Sequence, residues 1–228
     1  MELSWGSFTG MKIKAIIFDV NETLLDMQKL EDEINAGLGN SLGFQIWFSK
    51  LLHYSLVENE IGSHHDFSKV AFATLKMAAS YFGKEFSEKE IQSLLRLVKE
   101  LPAYPEVGMV LKALKEDYHL IALTNGNQET AEAQLKYAKI DEYFNGIYSV
   151  DGVGKFKPHP STYQKVLKDY KLKAQEAIMV AAHGWDIAGA QNAGLKTVFV
   201  ARKGKSLYPL VNTADGLVKD LKGLMETL

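Results

Sequence analysis

Residues 12–18, KIKAIIF, form a short apolar run without helical period, ending in Asp19 and a polar turn. Such a run predicts a strand buried on both faces. From 28 to 100 the pattern is different. Leu51, Leu52, Leu56 and Val57 recur at helical spacing, as do Ile91, Leu94, Leu95 and Val98, and no strand-like stretch interrupts the block. Pro102 and Pro105 then punctuate the chain. Beyond them strand and helix alternate. Strands are expected at 120–125, 147–151, 177–182 and 196–201. Helices are expected at 127–138, 160–170 and 185–194, the last closing on Gly194, with a final helix over 215–227.

Alternation of this kind predicts an α/β fold: a parallel sheet covered by helices on both faces. The helical block, residues 27–102, falls between the first strand and the rest. It reads as an insertion hung from linkers near 25–28 and 101–106, leaving 11–26 and 103–228 as the core. An insertion at the carboxyl end of a strand stands over the place where open α/β sheets bind ligands, which makes it a candidate lid. Residues 1–10 precede a second methionine, Met11, and read as a tag scar or N-terminal extension outside the fold. They lack the charged start and apolar stretch of a signal peptide.

Composition narrows the class. With 46% apolar and 24% charged residues among 228, the chain has the balance of a globular protein. A net charge of −2 gives no reason to expect nucleic acid or an anionic membrane as partner. No apolar run reaches the roughly 18–20 residues of a membrane span. There is no cysteine, which excludes disulfides, thiolate nucleophiles and zinc–thiolate sites and fits a cytoplasmic location.

The strand ends carry the candidate chemistry. The first leads into Asp19, Asn21, Glu22 and Thr23, the second into Thr124, Asn125 and Gly126, the third to Lys155 and Lys157, the fourth to His183, Trp185 and Asp186. In a parallel sheet all these loops lie on one edge. Asp19 alone has two readings: a turn or N-cap aspartate, or a carboxylate nucleophile kept ionised by a nearby Lys157. The three other loops favour the second. Remaining polar features read as structural. His64-His65-Asp66 is a solvated turn, since adjacent histidines point apart; His159 is a turn residue; Gly152 and Gly154 do not make a dinucleotide loop; Lys203 to Lys205 form a solvated loop.

The runs FDVNETLLD (18–26), LTNGN (123–127), KFKPHPSTY (155–163) and AAHGWDIAGAQNAG (181–194) together resemble the haloacid dehalogenase superfamily. The resemblance spans nearly the whole chain from residue 12. It implies a Rossmannoid core with an inserted helical cap. Phosphatases of that superfamily carry a second aspartate two positions after the nucleophile, here Asn21, and an acidic Mg²⁺ ligand four positions before Asp186, here Ala182. The L-2-haloacid dehalogenase branch, which uses neither, is the better match. It implies Thr23 beside the nucleophile, Thr124 and Asn125 after the second strand, Lys157 and Pro158 followed by Tyr163, and Trp185 before Asp186.

That branch implies no metal or cofactor, a small 2-haloacid as partner, and a homodimer. It assigns Asp19, Thr23, Lys157 and Asp186 to catalysis. Val20, Asn21, Phe48, Thr124, Asn125, Tyr163 and Trp185 fall on the substrate side. Three departures stand out. The usual Tyr-Gly becomes Asn21-Glu22, the usual serine and asparagine of the fourth loop become Ala181 and His183, and the cap arginine that helps hold halide aligns with Phe48. A Glu22–His183 dyad would supply a general base for hydrolysing an Asp19 ester, as in some members of the branch. The alternatives are a small Mg²⁺-dependent phosphatase that tolerates Asn21, and a non-enzymatic binding protein on the same fold.

Overall fold

A computed structural model describes residues 12–228; the reading of residues 1–10 lies outside the described residues. Among the described residues, six strands form one parallel sheet in the order β3-β2-β1-β4-β5-β6. They are β1 (Ala15–Phe18), β2 (His119–Thr124), β3 (Gly146–Ser149), β4 (Ala177–Ala181), β5 (Lys196–Val200) and β6 (Gly216–Val218). Every residue of β1 is 0% exposed, which is why its sequence is apolar throughout rather than alternating. Phe18 lies level with Ala122 of β2 and Val180 of β4. Asp19 therefore emerges at the point where the strand order reverses, where open α/β sheets bind ligands.

Core helices α5 (Val107–Leu114), α6 (Gln128–Tyr137), α7 (Pro160–Asp169), α8 (Gly184–Asn192) and α9 (Gly223–Thr227) join or follow the strands. Four helices fill the insertion: α1 (Gln28–Leu38), α2 (Gly43–Ile61), α3 (Phe67–Tyr81) and α4 (Glu88–Arg96). Their starts are chemically marked. Asp66 caps α3 through the Ser68 N–H, and Ser87 with Glu90 forms a capping box on α4.

The two linkers run side by side. The Asp26 N–H donates to the Pro102 carbonyl, the Tyr104 N–H donates to the Leu24 carbonyl, and Leu25 bridges Ala103 antiparallel. Farther out, the Asn59 amide of α2 clamps the core loop: its Nδ2 donates to the Phe156 carbonyl and its Oδ1 accepts from the Phe156 N–H, both at 2.9 Å. Asn127 Nδ2 also donates to Asp66 at 2.8 Å. The insertion is thus fastened on the edge of the sheet where the strands end.

The final helix expected over 215–227 is corrected. Gly216–Val218 is an edge strand paired with β5, and only Gly223–Thr227 is helical. Tertiary pairing overrides helical pattern here, because Gly216 is a poor helix residue and Val218 gains burial (1% exposed) by joining the sheet.

Candidate active site

Asp19 sits at the hub. Its N–H donates to the Val180 carbonyl, and its Oδ1 accepts from Lys157 Nζ at 2.9 Å. Its Oδ2 accepts from Thr23 Oγ1 at 2.6 Å and lies 3.0 Å from His183 Nδ1. A tight turn returns Thr23 to Asp19, with the N–H groups of Leu24 and Leu25 donating to the carbonyl of Val20. Thr23 Oγ1 accepts from the Ala182 N–H at 3.0 Å, so its single hydroxyl proton is committed to Asp19.

Lys157 spends all three donors: on Asp19, on Asp186 Oδ2 at 2.6 Å and on the Leu123 carbonyl at 2.9 Å. Its backbone N–H donates to Asn125 Oδ1 at 2.8 Å. That fixes the Asn125 amide and turns Nδ2 away, buried and without a hydrogen-bond partner among the described residues; Trp185 Nε1 is likewise buried and unpaired among them. Tyr163, expected on the substrate side, is fully buried behind Asp186 and donates to its Oδ1 at 2.5 Å. Gly189 makes room for this contact, since a Cβ there would lie 2.6 Å from the Tyr163 hydroxyl.

His183 precedes α8 without capping it. Its Nε2 lies 2.9 Å from Glu22 Oε2. Glu22 has a left-handed backbone (φ 59), strained for a non-glycine residue and held by its N–H to the Leu25 carbonyl. Trp185 stacks on the His183 ring at 5.2 Å, and Phe48 of α2 stands 6.2 Å away. Thr124 accepts from the Gly126 N–H, and Asn21 accepts from Gln134 Nε2 at 2.9 Å. Asn21, Phe48 and Gly126 border a cavity of about 350 Å³ walled by Trp47, Leu51 and Phe72 of the insertion.

Besides Tyr163, a second residue lies where the sequence pattern did not put it. Lys205, read as part of a solvated loop, points inward, with Nζ 2.5 Å from Glu22 Oε2 and 5.9 Å from the Phe48 ring. The loop after β5 opens on the same sheet edge as the others, and that topological signal could have found it. The other solvated reading, at His64-His65-Asp66, is met by separate outer contacts: His65 with Glu58, His64 3.7 Å from Asp151, and Asp66 with Ser68 and Asn127.

Three carboxylates thus face three cations. Burial alone would raise the Asp19 carboxyl, but the Lys157 ammonium and His183 overturn this and hold it well below the usual carboxylate range. Glu22 is likewise lowered against its burial by His183 and Lys205. Burial pushes His183 down, yet its bonds to Asp19 and Glu22 prevail and raise it to about 9. Both ring nitrogens face carboxylate oxygens, which suits the imidazolium. The resting site is an ionised, desolvated carboxylate beside a charged histidine.

Comparison with known proteins places this geometry. Residues 13–194 match the family model described as haloacid dehalogenase-like hydrolase. The chain is 30% identical over 197 residues to (S)-2-haloacid dehalogenase 4A of Burkholderia cepacia, covering 84% of each. It is 31% identical over 193 residues to a pyrophosphatase of Bacillus mycoides, covering 84% of this chain and 85% of that one. An L-2-haloacid dehalogenase from Xanthobacter autotrophicus, solved with chloropropionic acid covalently bound, superimposes with a TM-score of 0.88 at 25% identity, covering 94% of this chain and 97% of that one.

Proposed function

Because this chain belongs to the haloacid dehalogenase-like hydrolases, we propose that it is an (S)-2-haloacid dehalogenase converting short L-2-haloacids to D-2-hydroxyacids and halide. The observation that carries this reading is the pairing of an ionised Asp19 with Asn21. An alkoxide or phosphate-ester leaving group needs an acid to protonate it, and Asn21 carries none. A halide leaves as a stable anion and needs no proton.

In the first step an Asp19 oxygen attacks C2 from the side opposite the halogen. The carbon–halogen bond breaks with its electron pair on the halide, C2 inverts, and an ester forms. Lys157, oriented by Asp186 and the Leu123 carbonyl, holds Asp19 in place. The unpaired N–H groups of Asn125 and Trp185 are the donors available to the departing halide, in place of the cap arginine that Phe48 replaces. Thr124 and backbone N–H groups near Val20 and Asn21 receive the substrate carboxylate. Phe48 and Trp185 keep water from the displacement.

In the second step His183, with Glu22 behind it, removes a proton from water as the water oxygen attacks the ester carbonyl; the acyl C–O bond then breaks, the imidazolium returns that proton to the departing oxyanion of the hydroxyacid, and the regenerated Asp19 carboxyl passes its proton back to His183. Esterification creates this base. It cancels the Asp19 charge that holds His183 protonated, so the ring's pKa falls and its proton passes to solvent. We also infer a cytoplasmic homodimer joined through the cap helices. Exposed Leu56, Ile61 and Tyr81 support the pairing, and sedimentation at a monomer mass would overturn it. No described helix is long and apolar enough to cross a membrane.

The decisive test is halide release from L-2-chloropropionate with chelator present. Stoichiometric chloride and D-lactate are expected. Phosphate release that needs Mg²⁺, without halide release from either enantiomer, would replace this reading with the phosphatase one.

A further inference from the structure

The loop after β5 is anchored on both sides of the nucleophile turn. Arg202 donates to the Thr23 carbonyl at 2.9 Å, pairs with Glu106 at 2.7 Å and lies over the Tyr104 ring at 3.7 Å. Four residues on, the backbone of Ser206 to Tyr208 packs against Gly184, where a Cβ would lie 2.5 Å from the Ser206 carbonyl oxygen. Lys205 is held between these anchors, with a side chain only 21% exposed. Its Nζ meets Glu22 Oε2, the same oxygen that His183 Nε2 faces at 2.9 Å. Lysine, carboxylate and imidazole thus form a chain that ends on the water-activating ring.

We propose that Lys205 is a positioning residue for ester hydrolysis: its ammonium holds Glu22 against His183 and sets the pH above which the ring can accept a proton from water. The proposal rests on the reading of His183 as the base. Once Asp19 is esterified, the charged groups around His183 are few. Among the described residues, Glu22 is then the one charged side chain in contact with the ring. Lys205 opposes Glu22 from the β5 loop. Lys157 and Asp186 neutralise one another beyond the ester. Arg202 is matched by Glu106, and Asp26 and Tyr104 lie in the linkers.

The sign follows from this arrangement. A fixed cation beside Glu22 weakens its hold on the imidazolium, so the ring loses its proton at lower pH than it would opposite a bare carboxylate. Without Lys205 the ring stays protonated, and inactive as a base, to higher pH. The effect expected is about one pH unit, or about tenfold in hydrolysis rate below the limb.

The test follows ester decay by intact-protein mass after rapid mixing with L-2-bromopropionate across the pH range, in the full-length wild type, Lys205→Met, Lys205→Arg and His183→Ala. Lys205→Met should move the acid limb of ester decay up by about one unit, and Lys205→Arg should keep it at the wild-type position. A purely structural role predicts slower decay with an unmoved limb. A Lys205→Met limb at the wild-type pH, with His183→Ala still trapping ester, would overturn the proposal and leave the base intact. A Lys205→Arg limb coinciding with that of Lys205→Met would also overturn it. Wild-type ester decay in His183→Ala would remove the base itself and the proposal with it. Lys205→Gln serves the same comparison should the methionine variant not fold.

Discussion

Asp19→Asn is expected to abolish halide release, a fall on the order of 10⁶-fold, the scale reached when a hydrolase loses its nucleophile. The amide keeps the shape of the side chain and can still accept from Thr23. Lys157 keeps Asp186 and the Leu123 carbonyl, so the buried ammonium is not left unpaired and the fold should survive. Halide assay and thermal unfolding of the same sample read both outcomes, and turnover retained at the wild-type rate would move the nucleophile elsewhere. The variant also reports on the histidine. His183 has a folded pKa of about 9, above its usual 6.5. Its protonation therefore contributes stability that is fully present below about 6.5 and is lost as pH rises through about 9. Asp19→Asn removes one of the two partners that raise it, so the decline of stability across that window should flatten.

How far the amino-acid pattern reaches is clear from particular residues. Asp19, Thr124, Asn125, Lys157, His183 and Asp186 could be gathered without coordinates, because strands of a parallel sheet all present their carboxyl ends on one edge, and hydrogen bonds in the structure join Asp19, Asn125, Lys157, His183 and Asp186. The same topology applied to Lys205 was masked by its neighbours, since a lysine-rich loop reads as solvated until something acidic is known to face it. Tyr163 shows the limit of position along the chain: it lies on α7 near the site, but its rotamer and the bare Gly189 send its hydroxyl behind Asp186. The Asn59 clamp on Phe156 joins residues 97 apart in sequence and left no local signal. β6 was lost because three residues are too few to display a period of two against a helical background.

His183→Ala should separate the two halves of the reaction. Ester formation needs Asp19 ionised, and Lys157 alone supplies an opposite charge at 2.9 Å, so one halide per active site should still be released. Hydrolysis should then slow by roughly 10²–10⁴-fold, the usual contribution of a general base. The protein should accumulate with the acid esterified to the Asp19 peptide, seen as a halide burst followed by near-arrest and as a mass increase confined to that peptide. Glu22→Gln should give a milder form of the same trap. It leaves the imidazole in place but removes the remaining carboxylate that can stabilise the imidazolium as water loses its proton. Unchanged steady turnover in His183→Ala would assign water activation to another group. A loss of the burst itself would mean that His183 serves the displacement, through its 3.0 Å contact with Asp19 Oδ2, rather than the hydrolysis. The two nitrogens of one ring, each against a different carboxylate, are what make these outcomes distinguishable: one side senses whether Asp19 is charged, and the other holds the carboxylate that supports the proton once it is not.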